Sequence, residues 1–298
     1  MELNEYQERA AETDVLTGED DLLPLLGLAG EVGALIAEYK KQQRDKTGYR
    51  SFTDEVHEEL GDILWYAAAL ARRNGFSLGE IAEENLAKTR GIFATPDTLP
   101  ALNRFDVAGS PHDQRLPDRL TVTLVETIEV SENGESLQRV RMFEGTEPVG
   151  HPLDDNSEHD DAYRYHDVFH LAHMAVLGWS PVMRSLLRRK RSAAPTIDRV
   201  QDGGRAIAIE EGLTAYVFTI ATQHSYFTKL AHVPPSVLKT CAKMTAHLEV
   251  SDRSLGDWHA AILAGYEAFG LVVDNRGGVL TADLERRTLS YDGPAPSA

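Results

Sequence analysis

Carboxylates recur at helical spacing in two short stretches near the start of the chain. Glu31 and Glu38 lie seven residues apart in GLAGEVGALIAEYKKQQRD, and Glu55, Glu59 and Asp62 lie four and three apart in the stretch that ends EELGDILWY. Residues so spaced share one face of a helix. Like charges stacked beside Leu60, Ile63, Leu64 and Trp65 repel one another and resist burial unless a cation or water compensates them. Hard carboxylate oxygens select Mg²⁺ or Mn²⁺ over zinc, so Glu31, Glu38, Glu58, Glu59 and Asp62 form a candidate ligand set. Two solvated acidic faces are the competing reading, as expected in a chain with 47 acidic and 30 basic residues. Trp65 and Tyr66 stand just beyond Asp62, where an aromatic packs either on a nucleotide base or into the helix core.

A second constellation occupies RYHDVFHLAHMAVLGW, where His166, His170 and His173 fall four and then three residues apart. Together with Asp167 and the Glu210-Glu211 pair of a later segment, these histidines make a mixed nitrogen and oxygen donor set. Such a set favours a transition metal, Mn, Fe or Zn, over Mg. His166, His170, His173 and Glu211 are the candidate ligands. The alternative is a polar helix face that bonds carboxylates from its neighbours.

Apolar residues that return every three or four positions predict helices over 4–13, 22–44, 53–74 and 77–90. Asn74-Gly75 ends the third, and Ser77 with Glu80 caps the fourth. Four such helices make a bundle. From Thr95 to Pro117 the composition turns to Pro, Asp, Gly and Ser, a linker. LTVTLVETIEV (120–130) and LQRVRMFEG (137–145) alternate as strands should, with Asn133-Gly134 as the hairpin turn. Helical periodicity returns over 162–179, over 204–223 and in two further segments; the last twenty-odd residues contain Gly277-Gly278 and end in DGPAPSA, a frayed tail. The expected architecture is mainly α: an N-terminal four-helix bundle (1–94), a linker with a small antiparallel β segment (95–155), and a second helical domain (156–298). IEEGLTAYVFTIA echoes EELGDILWYAAAL, which would make the second helical domain a diverged repeat of the first. The basic run Arg188 to Arg191 reads as a solvated helix end rather than a phosphate patch.

The formal net charge of −17 opposes general attraction to nucleic acid or anionic lipid. One cysteine, Cys241, excludes an intramolecular disulfide framework and fits a reducing compartment. The N-terminus lacks the basic and apolar regions of a signal peptide, and no apolar run is expected to reach membrane-spanning length. A soluble cytoplasmic protein, with no nucleic-acid or membrane partner, is the expectation.

Residues 1 to about 93 resemble the MazG-like all-α nucleoside triphosphate pyrophosphohydrolases. The resemblance rests on YQ near the start, GLAGEVG before a long helix ending KKQQRD, EELGDILWYAAALA, and NLAKTR, in that order and spacing. The family pattern is Glu-x-x-Glu followed by Glu-x-x-Asp. It assigns Glu31, Glu59 and Asp62 as ligands and catalytic residues, while its second position falls on Ala34, whose methyl group cannot coordinate a cation. Glu38 or Glu58 is then the substitute. The resemblance implies Mg²⁺-dependent cleavage of a nucleoside triphosphate to monophosphate and pyrophosphate. It also implies phosphate contacts from Asn85 and Lys88, with Lys41 and Arg44 as further candidates, and a homodimer or higher homo-oligomer.

Overall fold

The computed structural model describes residues 1–16, 21–92, 101–106, 110–130, 136–158, 160–228 and 232–296, with side chains throughout except at the end of the fourth helix, where those of residues 87, 88 and 90–92 lie outside the described set. The chain divides into two compact units, Met1–Lys88 and Thr89–Ala298.

The first unit is all helical: α1 (Leu3–Ala10), α2 (Leu22–Asp45), α3 (Phe52–Arg73) and α4 (Leu78–Ile92). A short 3₁₀ turn at Lys46–Gly48 reverses the chain between α2 and α3, which pack along each other. α3 carries Asp54 and Glu55 in its first turn and Arg72 and Arg73 in its last, charges that suit its dipole at both ends. Gln7 of α1 supplies a physical reason for the YQ motif. Its amide donates to the Phe76 carbonyl (2.9 Å) and accepts from the Leu78 amide (2.7 Å), while Asn4 accepts from Ser77 Oγ and the Gly79 amide. α1 therefore caps the start of α4. Ser77 Oγ also accepts from the Glu80 amide, the cap read from the sequence.

The buried apolar cluster of this unit is small, built on Ala10, Ala68, Ala71 and Leu78 with Tyr6 and Trp65 against it. Many large apolar side chains of α2 and α3 stay exposed, Ile36 by 64% and Leu60 by 51%. The segment Leu22–Gly48 is also long and apolar enough to cross a membrane by length and composition. That corrects the sequence expectation, because few charges interrupt its Leu, Gly and Ala residues; a protein partner can cover such a face equally well.

The second unit joins helices to a five-stranded antiparallel sheet of order β3-β2-β1-β4-β5, formed by β1 (Arg119–Val130), β2 (Ser136–Glu144), β3 (Glu147–Leu153), β4 (Gly277–Asp283) and β5 (Thr288–Gly293). The hairpin of β1 and β2 lies where expected, although its Asn133-Gly134 turn falls outside the described residues. Part of the 95–117 linker does too. The hairpin is not a separator between helical parts. β4, a strand not expected from the sequence, pairs with β1 from Arg119↔Asp283 to Val125↔Gly277 and fastens the sheet to the C-terminal helices.

These helices are α5 (Asp167–Ala172), α6 (Pro181–Leu186), α7 (Pro195–Gln201), α8 (Gly204–Thr222), α9 (Pro235–Met244) and α10 (Leu255–Asp274). The helix expected over 162–179 is instead three pieces: a 3₁₀ turn at Tyr163–Tyr165, α5, and a π turn at His173–Leu177 that stops at left-handed Gly178. α10 begins with a Ser254/Asp257 capping box and packs on α5 and the π turn. A unit that mixes α and β in this order is not a second copy of the bundle. The Arg188–Arg191 run is structural rather than solvated at its end: Arg191 is 1% exposed and its guanidinium donates to Asp202 (2.6 and 3.0 Å) and Glu249 (2.7 and 3.0 Å).

Candidate functional site

In the N-terminal unit, α2 presents Glu31 and Glu38 to the face of α3 that carries Glu59 and Asp62. The Glu59 carboxyl is pushed above the usual range by partial burial, by the charge of Glu31 and a hydrogen bond with it, and by Asp62 and Glu38. Lys41 stands over the same group. Its ammonium is 2.5 Å from Glu38 and feels Glu55 and Glu59, and these carboxylates push it upward. Glu38 is buried and also accepts from the Tyr49 hydroxyl, a contact that pushes Tyr49 up to about 12. Tyr49 carried no signal in the sequence beyond its place after the α2–α3 turn.

Of the remaining candidates, Arg44, Trp65 and Tyr66 are engaged elsewhere. Glu58 is exposed on α3. Arg44 forks onto its neighbour Asp45 (2.6 and 2.7 Å). Trp65 turns inward, its indole donating to Thr13 Oγ1 at 2.9 Å, and Tyr66 lies edge-on to it with its ring over Gly27. Asn85 is exposed on α4, and the Lys88 side chain lies outside the described side chains.

In the second unit, α5 and α8 bring the histidines to the glutamate pair. Glu210 is fully buried and accepts four hydrogen bonds: from His170 Nδ1 (3.0 Å), His173 Nδ1 (3.1 Å), Ser180 Oγ (2.8 Å) and the Val182 amide (2.9 Å). Burial opposes charge on both Glu210 and His170, yet their contact overrides it, holding Glu210 down at about 2 and His170 up at about 10. Glu211, one residue on, is 43% exposed at its side chain and approaches His170 Nε2 at 3.4 Å and His166 Nε2 at 4.0 Å. Asp167 begins α5 beside them; burial pushes its carboxyl up, against the pull of His170 and His166.

Among the described residues, the groups of three whose ligand atoms lie within 4.8 Å of one another are His166–His170–Glu211 and His170–His173–Glu210, both in this unit. The N-terminal carboxylates make a looser set. The three histidines therefore do not converge on one point: His173 serves Glu210 on the buried side, His166 faces Glu211 on the open side, and His170 bridges the two.

Two family models account for nearly the whole chain. The MazG nucleotide pyrophosphohydrolase domain matches residues 21–91 and the MazG C-terminal domain matches residues 100–295. The chain belongs to the MazG family. A curated relative, the gene 37 protein of Mycobacterium phage L5, is 33% identical over 97 residues, 30% of this chain and 85% of the relative. No solved structure matches.

The MazG pyrophosphohydrolase match includes Glu31, Glu38, Glu59 and Asp62 along with Ala34, which is half-buried on α2. The MazG C-terminal match contains the sheet and both histidine groups. In this MazG chain, Glu38 lies one turn beyond Ala34, and its charge is among those that raise Glu59.

Proposed function

We propose that the N-terminal unit hydrolyses a nucleoside triphosphate to its monophosphate and pyrophosphate, with Mg²⁺ or Mn²⁺ held by Glu31, Glu59 and Asp62. The observation that carries this reading is the crowding of negative charge on Glu59, which raises its affinity for a cation or a proton. Hard oxygen donors from two helices fit a hard divalent ion. When bound, such an ion supplies positive charge to the phosphate oxygens and acidifies a water.

The chain's own residues do the rest. Glu31, Glu59 and Asp62 fix the position of the ion, one carboxylate of the set orients the attacking water, and Lys41 meets the incoming phosphate from above Glu38. The net charge of −17 disfavours nucleic acid and anionic membranes as partners, so free nucleotides in the cytoplasm are the substrate pool. A second copy of the chain covers the exposed Leu25, Leu26 and Ile36 of α2 and Leu60 and Leu64 of α3, giving a homodimer or higher oligomer.

One observation favours a second reading, a nucleotide-binding sensor with weakened turnover. Ala34 offers no ligand, and Glu38, its substitute, is already held by Lys41 and Tyr49. Incubating the protein with Mg²⁺ and a panel of normal and modified nucleoside triphosphates, then measuring pyrophosphate, tests the main proposal. Release that Glu59→Ala abolishes and the exposed Glu8→Ala leaves intact is the expected result. Tight nucleotide binding with no release supports the sensor, and neither binding nor release overturns both.

A further inference from the structure

The geometry of the second unit points to a mononuclear site for a divalent transition metal, built from His166 Nε2, His170 Nε2 and a Glu211 carboxylate oxygen, with Asp167 at its edge. The argument begins with the imidazole nitrogens that face away from the site. His166 Nδ1 lies 2.9 Å from the Tyr163 carbonyl, which only accepts, so that nitrogen carries the hydrogen. His170 Nδ1 lies 3.0 Å from Glu210, whose carboxylate takes hydrogen bonds from three other donors as well. In both rings the Nδ1–H is therefore spent, so Nε2 is the nitrogen left to ligate, in His170 once an ion displaces the proton it carries. Both Nε2 atoms face the same Glu211 oxygen, at 4.0 and 3.4 Å.

Without an ion, a proton on His170 Nε2 is what offsets the Glu211 carboxylate 3.4 Å away; a divalent ion takes the place of that proton and brings more charge. His170 Nε2 is buried and has no hydrogen-bond partner of acceptable geometry, although the Glu211 oxygen is close. The ring planes are already fixed. Tyr163 stacks on His166 with centroids 4.5 Å apart and planes 13° from parallel, and Glu210 pins His170. Orienting a ligand histidine through a carbonyl or carboxylate on its far nitrogen is how proteins build metal sites. The spacing of the two histidines, i and i+4 across the start of α5, sets both on one face.

Distances fit as well. Donors about 2.0–2.2 Å from one ion stand about 3–3.5 Å from each other, and here the three donor atoms lie within 4.8 Å. Small side-chain rotations close the difference. Two imidazoles and one carboxylate select Mn, Fe or Zn over Mg. The half-exposed Glu211 leaves the outer side to water, so the donor count matches a site with open positions rather than a closed structural one. The alternative triad, His170–His173–Glu210, is wholly interior and its carboxylate is already saturated by Ser180 and Val182. It orients the site and does not hold the ion. The π turn that follows α5 carries His173 to Glu210; such turns are frequent at functional sites.

The test uses the full chain, stripped with chelator, then titrated with Co²⁺ in the presence of excess Mg²⁺ to occupy the N-terminal carboxylates. Visible d–d absorption reports nitrogen ligation. The expected result is one Co²⁺ per chain, displaced by Zn²⁺. His166→Ala and Glu211→Gln should each weaken binding by more than about 100-fold, beyond the roughly 10–100-fold usual for loss of an orienting partner, which is the effect expected of Glu210→Gln. Glu211 is half-exposed, so its variant should keep the apo far-ultraviolet spectrum of the wild type. His173→Ala should still take up the ion. Absence of a Co²⁺ spectrum from the wild type, its loss in Glu59→Ala, or its survival in both His166→Ala and Glu211→Gln overturns the inference. None of these outcomes bears on nucleotide hydrolysis by the first unit.

Discussion

Replacing Glu210 by glutamine should be among the most damaging single changes in the C-terminal unit. The carboxylate is 0% exposed and takes His170, His173 and Ser180 on one oxygen and the Val182 amide on the other. Glutamine keeps one acceptor. If its oxygen serves the three side chains, its NH₂ meets the Val182 N–H, donor against donor; if it flips, three donors lose their acceptor. In either orientation the charge that offsets a protonated, fully buried His170 is gone. Breaking one side of a buried charged pair costs about 3–5 kcal/mol, and a unit spanning residues 89–298 loses about 2–4 °C of melting temperature per kcal/mol. A fall of about 8–16 °C is expected, taking about 4 kcal/mol as the central figure.

The readout is available in the same place. Trp179 and Trp258 are 1% exposed and pack against His173, with centroids 6.4 and 5.6 Å away. Near-ultraviolet circular dichroism therefore follows this core directly. Scans should be run with chelator present, so that metal uptake does not enter, and Glu211→Gln is the control because its side chain is 43% exposed. A Glu210→Gln protein that melts within about 2 °C of the wild type, a fraction of a kcal/mol on the same scale, would refute the ionised, four-donor reading.

Three further outcomes are expected. Ala34→Glu restores the missing carboxylate on α2, and pyrophosphate release should rise severalfold if turnover is limited by ligand count; an unchanged rate means Glu38 already fills the role. Gly27→Ala places a methyl group 2.2 Å from the Tyr66 ring, an overlap that should destabilise the N-terminal unit by about 1–3 kcal/mol in a chemical denaturation experiment. Asp257 is held below its ordinary value: burial pushes it up, but hydrogen bonds from Ser254 and the Arg287 guanidinium outweigh burial. Its contribution is therefore present above the unfolded carboxylate value of about 3.9 and fades as pH falls through the lower folded value. The stability gap between wild type and Asp257→Asn should be constant from pH 7 to about 5 and shrink below 4.

The N-terminal helices were legible to within a residue or two, save that the first ends at Ala10 and passes into a 3₁₀ turn over Ala11–Thr13, because they are bounded by turns or caps that act locally, such as Ser77 on the Glu80 amide. β4 was not. Its partner β1 lies more than 150 residues earlier, and no local pattern encodes that pairing. Gly277 and Gly278 look like turn residues in sequence, whereas their φ values of 120° and 149° let the strand run against Leu124 and the Tyr291 ring, where a side chain would clash. β3 was missed for a related reason, since Pro148 and Gly150 interrupt its alternation. The broken helix at 162–179 kept its histidine spacing but concealed the π turn, which begins at His173, the residue that bonds Glu210 on α8.

The two doubled glutamates show what spacing can and cannot decide. Successive residues of a helix point about 100° apart, so in a pair such as Glu210-Glu211 one side chain enters the core when the other meets solvent. Sequence marks the pair but not which member turns inward. Here Glu210 is the buried anchor and Glu211 the half-exposed one, and in Glu58-Glu59 the order is reversed, with Glu58 exposed and Glu59 against Glu31. The two stretches therefore resemble each other in sequence but differ in which glutamate turns inward. The likeness is the shared consequence of setting a charged pair at the edge of an apolar helix face. In the first unit Glu59 is the member that meets acidic groups across the helix pair, whereas in the second both members meet histidines, Glu210 as the buried anchor and Glu211 on the open side.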